Sequence, residues 1–138
     1  MFFLTNCGFT PIYFENTDLN FSVEKVNYTG DRDLNNFLKT NLIKYKNEKS
    51  KNKIYIEANS TYRKIILSKD SAGETTSYQL EAEVIFSIMP LNKKIKIREK
   101  KIMNSKDDKF EEDRYERSVK QNFASSISNK LSTELIVN

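Results

Sequence analysis

The chain has no histidine, no tryptophan and a single cysteine, with only two prolines and three glycines in 138 residues. Without histidine it lacks the commonest metal ligand and general base. One thiol forms neither an internal disulfide nor a cysteine-based metal cluster. No glycine-rich loop is present to cradle a phosphate, and no paired acids fall in a pattern that marks a cleft. These absences predict a protein that is not an enzyme and holds no cofactor and no metal. No apolar run approaches the roughly 18–20 residues that span a bilayer. No internal repeat or long linker breaks the sequence.

What remains is enough for one folded domain. A hydrophobic content of 38% and an aromatic content of 12% supply a core, which a disordered chain lacks. The net charge of +4 is uneven. Residues 1–90 carry 11 basic and 11 acidic residues, whereas residues 91–138 carry 12 basic and 8 acidic. Six cations and one acid, Glu99, fall within Lys93–Lys101. A local cluster of this kind makes a field that survives salt better than a diffuse excess does.

Taken in order, the chain first alternates over 19–28, with a change of phase that places a bulge or a strand end near Glu24 and Lys25. Asp31 then reads as a helix N-cap, and Leu34, Phe37, Leu38, Leu42 and Tyr45 share one helical face. Residues 53–69 are strand-like. Ile54, Ile56 and Ala58 have one parity there and Ile65 and Leu67 the other, which predicts a bulge or bend between Asn59 and Tyr62. Residues 76–88 alternate almost without error, as in a strand with one covered and one wet face. Lys93–Met103 is the next strand.

Asp107 or Asp108 caps a last helix whose apolar residues fall at Val119, Phe123, Ile127, Leu131 and Leu135. Arg114, Arg117 and Lys120, set among Glu111, Glu112, Asp113 and Glu116, read as a solvated face laced with i,i+4 pairs. The predicted fold is α+β: a two-layer sandwich, a four-stranded and mostly antiparallel sheet with two helices on one face, in the order β-α-β-β-β-α.

The lone thiol, Cys7, sits in Leu4-Thr5-Asn6-Cys7-Gly8. Leu4, Thr5 and Cys7 match the pattern of a lipobox, while Asn6 departs from the small residue expected before the cysteine. The apolar stretch Met1–Leu4 is shorter than the roughly 7–15 residues of a secretory h-region. Two readings stand: a lipidated cysteine whose signal lies upstream, or an incidental thiol near the terminus. The first divides the chain into residues 1–6 as a remnant of the signal, residues 7–18 as lipidated N-terminus and tether, and residues 19–138 as the single domain. Phe9, Tyr13 and Phe14 precede that domain; packing on it is the expectation, with the membrane interface or a partner as the alternatives.

Cys7-Gly8-Phe9-Thr10-Pro11-Ile12-Tyr13 resembles the mature N-terminus of the lipopolysaccharide-assembly lipoproteins of the LptE (RlpB) family, most closely its alphaproteobacterial branch. Thr75–Ala82 resembles that family's central strand, and Phe110–Ile136 its closing helix. The resemblance implies an outer-membrane lipoprotein on the periplasmic side, acylated at Cys7. It implies two partners, an LptD-type outer-membrane β-barrel and lipopolysaccharide, and no nucleic acid. Gly8 after the cysteine suits sorting to the outer membrane. Each buried methylene of an anchor contributes about 0.8 kcal/mol, so stable tethering takes more than one chain.

Lys94, Lys96, Arg98 and Lys100 share one parity of their strand and stand about 6.6 Å apart along it. That row is the candidate contact for lipopolysaccharide phosphates, which Arg98 is able to bind in bidentate fashion, or for an acidic wall of the barrel. Lysines that guard a sheet edge against aggregation produce the same pattern. The competing function is a cytosolic or periplasmic module that binds anions or nucleic acid through residues 93–101.

Overall fold

The computed structural model describes residues 21–137. Cys7, the tether over 7–18, and Phe9, Tyr13 and Phe14 lie outside the described residues. The elements run β1 (Ser22–Gly30), α1 (Arg32–Leu42, continued by a 3-10 turn at Ile43–Tyr45), β2 (Lys53–Lys69), β3 (Thr75–Met89), β4 (Lys93–Asn104) and α2 (Lys109–Val137). They form one four-stranded sheet in the order β1-β2-β3-β4. β1 and β2 are parallel, joined by α1 as their crossover, and the two later pairs are antiparallel. The mostly antiparallel α+β sandwich expected from the sequence is the observed architecture.

β3 sets the layers. Leu80, Ala82, Val84, Phe86 and Ile88 are fully buried on one side. Their cross-strand partners on that side, Ala58 and Ile56 of β2 and Ile97 and Ile95 of β4, are buried with them. Leu34, Leu38 and Leu42 of α1 and Val119, Phe123, Ile127, Leu131 and Leu135 of α2 close this core from above. Both helices therefore present the faces that their 3.6-residue spacing predicts.

The helix starts follow from short polar side chains. The Leu34 N–H donates to Asp31 Oδ2 at 2.9 Å, which caps α1, and the Phe110 N–H donates to Asp108 Oδ1 at 2.9 Å, which caps α2. Before α1, Gly30 turns the chain at φ +102°, and a Cβ there would lie 1.9 Å from the Ser60 carbonyl oxygen. That carbonyl accepts the Asp31 N–H at 3.2 Å, so the end of β1 is pressed onto β2. The expected bulge in β1 is present: Val23 pairs with Ile54 and Lys25 with Tyr55, which leaves Glu24 as the extra residue. The bulge returns Val26 and Tyr28 to the core side after Phe21 and Val23.

No bulge breaks the pairing between Asn59 and Tyr62. Pairing with β3 runs unbroken from Tyr55 opposite Met89 to Ile66 opposite Tyr78, and the shift comes later, at Leu67. The parity change is real, but no slip accommodates it. Past Ala58 the helix side of β2 turns polar instead. Ser60 Oγ donates to Asn35 Oδ1 of α1 at 2.7 Å, Tyr62 Oη donates to Glu116 Oε2 at 2.6 Å, and Lys64 Nζ reaches Glu116 and Glu112 at 3.1 and 3.3 Å. Ile65 and Leu67 consequently project onto the open face, 37% and 46% exposed.

The charged start of α2 is solvated in part, at Glu111, Asp113, Arg114 and Arg117, but among the described residues its charges form no i,i+4 ion pairs. Glu112 and Glu116 reach β2, and Lys120 lies 4.2 Å from the Tyr62 ring centroid and 3.8 Å from Asp31. Arg117 covers Phe37 of α1 and Arg114 covers Phe110. Burial, followed by the Glu116 carboxylate, pushes the Tyr62 phenol far above its ordinary value. Glu112 is 5% exposed. The Lys106 backbone N–H, donating at 2.9 Å, and then Lys64 hold its carboxyl below the usual carboxylate range.

Two predictions follow from this packing. A carboxyl with a depressed folded-state pKa contributes stability above its unfolded-state pKa and loses it as pH falls through the folded value. Glu112→Gln therefore costs about 1–3 kcal/mol at neutral pH and flattens the acid limb of the stability curve, read by urea unfolding across pH. An acid limb as steep as the parent's contradicts this role. Ser128 Oγ is buried and has no hydrogen-bond partner among the described residues. Ser128→Ala therefore leaves stability unchanged or raises it by up to about 1 kcal/mol in the same assay, and a loss of that size would show an unseen partner.

Candidate anion-binding site

β4 alternates, so its two faces are chemically distinct. Ile95, Ile97 and Met103 are buried on the helix side. Lys94, Lys96, Arg98 and Lys100 all stand exposed on the open side, as their shared parity predicts. β4 is also an edge strand, with β3 on one side only.

The row does not stand as four bare cations. Register places Glu83 opposite Arg98 and Glu81 opposite Lys100. Glu83 Oε2 accepts from Arg98 Nη2 at 2.6 Å and from Arg98 Nε at 3.1 Å. Glu81 Oε2 lies 3.4 Å from the same Nε, and Lys96 Nζ lies 3.7 Å from Glu83. On the far side of β3, Arg63 of β2 bonds Glu81 Oε1. Glu81 is 4% exposed although it points to the open face, because these guanidinium groups cover it.

The Arg98 hydrogen bond holds the Glu83 carboxyl below the usual carboxylate range, and Glu83 in turn raises Arg98. The row is thus a charge ladder across three strands. Lys96 and Arg98 are engaged within it, while Lys94 and Lys100, at the ends, form no ion pair among the described residues.

Between the edge of β4 and α2 runs an open groove of about 1010 Å³. Lys93, Lys94, Lys96 and Arg98 form one wall, and the polar side of α2 forms the other. Asn122, Ser126, Asn129, Lys130 and Thr133 recur there at helical spacing between the buried apolar positions. Glu99 links the two walls, since its Oε2 accepts from Ser126 Oγ at 3.0 Å and from Lys130 Nζ.

Sequence reasoning placed the row but not this second wall. The signal was present in Glu99, the one acid within Lys93–Lys101. It lies on the helix side, opposite Ala82, where an acid requires a partner. The arrangement presents hydrogen-bond donors and positive charge, the chemistry that suits an anion. It offers lysine ammonium groups, amides and hydroxyls along a groove, and no nucleophile paired with a base. Among the described residues no group of acids and thiols is placed to hold a metal ion, and no helix is long and apolar enough to cross a membrane.

No protein-family model matches the chain, and no curated protein matches it in sequence. Solved structures do match in fold. The rare lipoprotein B from Shewanella oneidensis superposes with a TM-score of 0.57 at 12% identity, over 80% of this chain and 96% of that one. A minor lipoprotein from Acinetobacter baumannii gives 0.54 at 16% identity, over 80% and 94%. A candidate lipoprotein from Caulobacter crescentus gives 0.53 at 11% identity, over 81% and 88%. At these identities the likeness is one of fold: this chain is built as bacterial lipoproteins of the rare lipoprotein B type are built.

Proposed function

We propose that this chain is the globular part of a lipid-anchored component of lipopolysaccharide transport and assembly at the outer membrane. In this reading acyl chains on Cys7 hold it on the periplasmic side. The open face of β4 and its groove contact lipopolysaccharide phosphates, and an outer-membrane β-barrel of the LptD type is the protein partner. The protein works by binding, not by catalysis.

The observation that supports this most is the cation-lined groove beside an edge strand, on a fold shared with bacterial lipoproteins. Along the row on β4, of which Lys94, Lys96 and Arg98 line the groove and Lys100 lies beyond it, the roles divide. Arg98 and Lys96 neutralise Glu83 and Glu81 and keep the face rigid, whereas Lys94 and Lys100 are available to a ligand. A polyanion with phosphates spaced along an acyl-bearing headgroup suits a groove of this length and charge. The groove lining has no aromatic side chain, so nucleic-acid bases find no stacking platform there.

Two measurements test the reading. Lys94→Ala combined with Lys100→Ala lowers lipopolysaccharide affinity by about tenfold or more without lowering the unfolding midpoint, since charged hydrogen bonds to phosphate are lost and no internal pair is broken. Unchanged affinity would remove the row from the ligand site. Affinity purification from native membranes recovers the chain acylated at Cys7 together with a large outer-membrane barrel. A soluble chain, unmodified at Cys7 and free of any barrel, contradicts the proposal.

A further inference from the structure

The two ends of the sheet carry opposite charge. At one end lie the segment before and into β2 (43–53) and the β3–β4 turn (89–94). Together these two stretches hold seven lysines and one acid, Glu48. At the other end lie the β2–β3 turn (69–75) and the segment from the end of β4 into α2 (104–113), with seven acids against three cations. A molecule polarised along its strands turns one end toward an anionic surface and the other away from it.

The lysine end is also the apolar-tipped end. Met89 and Leu91 flank Pro90 in the β3–β4 turn and are 51% and 57% exposed. Beside the turn opens a cleft of about 430 Å³, floored by Phe21, Ile54 and Leu135 and rimmed by Lys51, Lys53 and Lys93. Lys53 is drawn toward Glu24 at 3.7 Å, while Lys51 and Lys93 form no ion pair among the described residues. Phe21, where the described chain begins, borders the same cleft.

We infer that this end is a docking surface for an anionic phospholipid bilayer. The lysines lie level with the headgroup phosphates, and the Leu91 tip enters the interface between them. Clustered lysines beside an exposed apolar tip give the two attractions that peripheral membrane binding combines, charge to the headgroups and apolar area to the acyl boundary. The charge polarity fixes orientation: the β3–β4 turn faces the lipid, and the acidic end, with the start of α2, faces away. The surface meets the Lys94–Lys100 row at Lys93 and Lys94, but the lysines of 43–53 and the Leu91 tip lie outside that row and its groove, and docking through them does not depend on lipopolysaccharide binding or on acylation of Cys7.

The test is vesicle flotation of the full chain carrying Cys7→Ala, with vesicles of equal parts phosphatidylcholine and phosphatidylglycerol and with phosphatidylcholine alone. The chain floats with the mixed vesicles and not with the neutral ones, and added salt releases it. Lys46→Glu, Lys49→Glu and Lys51→Glu together weaken flotation by about tenfold or more. Leu91→Asp weakens it as well, at an unchanged unfolding midpoint. The same charge reversal at Lys39, Lys69 and Lys101 leaves it intact.

Four results overturn the inference: absence of flotation, equal flotation with neutral vesicles, equal loss in both triple variants, or competition by millimolar inorganic phosphate, which would mark an isolated anion site. Because the lysine-end triple variant leaves Lys94 and Lys100 in place, its lipopolysaccharide affinity separates failure of this inference from failure of the proposed function.

Discussion

The strict alternation of β3 is the constraint from which the rest of the molecule follows. A central strand with one fully dry face and one wet face commits both neighbours to the same division. Leu80, Ala82, Val84, Phe86 and Ile88 require a lid, and α1 and α2 supply it. The other side places Glu81 and Glu83 at the centre of an open sheet, where carboxylates side by side require cations. β2 supplies Arg63, and β4 supplies Lys96 and Arg98. The basic character of β4 is therefore half structural. It balances the acids of its neighbour, and the lysines beyond that balance are the ones left to act outside the fold.

Polar groups also hold the layers together where the apolar core runs out. Beyond Ala58 the sheet and helices meet through Ser60, Tyr62 and Lys64 on β2 and through Asn35, Glu112 and Glu116 on the helices. Tyr28, nearby on β1, is pushed up to about 12 by burial. In such a region hydrogen bonds add modestly when made and cost more when a partner is removed, so the network fixes geometry more than it adds stability. At the opposite end the loop before β2 is tied down by Ser22, whose Oγ accepts the Asn47 N–H at 2.8 Å, while its own N–H donates to the Asn52 carbonyl at 2.8 Å. This places the lysines of that loop beside the β3–β4 turn.

Much of this was legible in the sequence, for identifiable reasons. The phase change after Val23 could be read as a bulge because apolar residues resume on the other parity within the same strand. Asp31 and Asp108 announced their helices because a short polar side chain before an amphipathic run has few other uses. The same logic failed at Ile65 and Leu67. There the parity change reflects a strand that outlasts its apolar cover, and only the three-dimensional position of Glu112 and Glu116, about fifty residues later in sequence, reveals the polar cover that replaces it. The pairing of Arg98 with Glu83 was within reach, since the short turn at Pro90–Asn92 sets Ile88 opposite Lys93 and thereby fixes every later pair. The groove was not, because no local pattern says that the polar side of α2 lies along the free edge of β4.

The functional account rests on that groove holding a multiply charged lipid headgroup. The most direct measurement is amide hydrogen exchange with and without lipopolysaccharide. The edge-strand amides of β4 and the facing part of α2 report occupancy without any substitution. The account predicts slower exchange across Lys93–Lys101 and Asn122–Thr133 when lipopolysaccharide is added, with β1 and α1 unchanged. Slowing confined to other elements, or none in β4 and α2 at a saturating concentration, would contradict it.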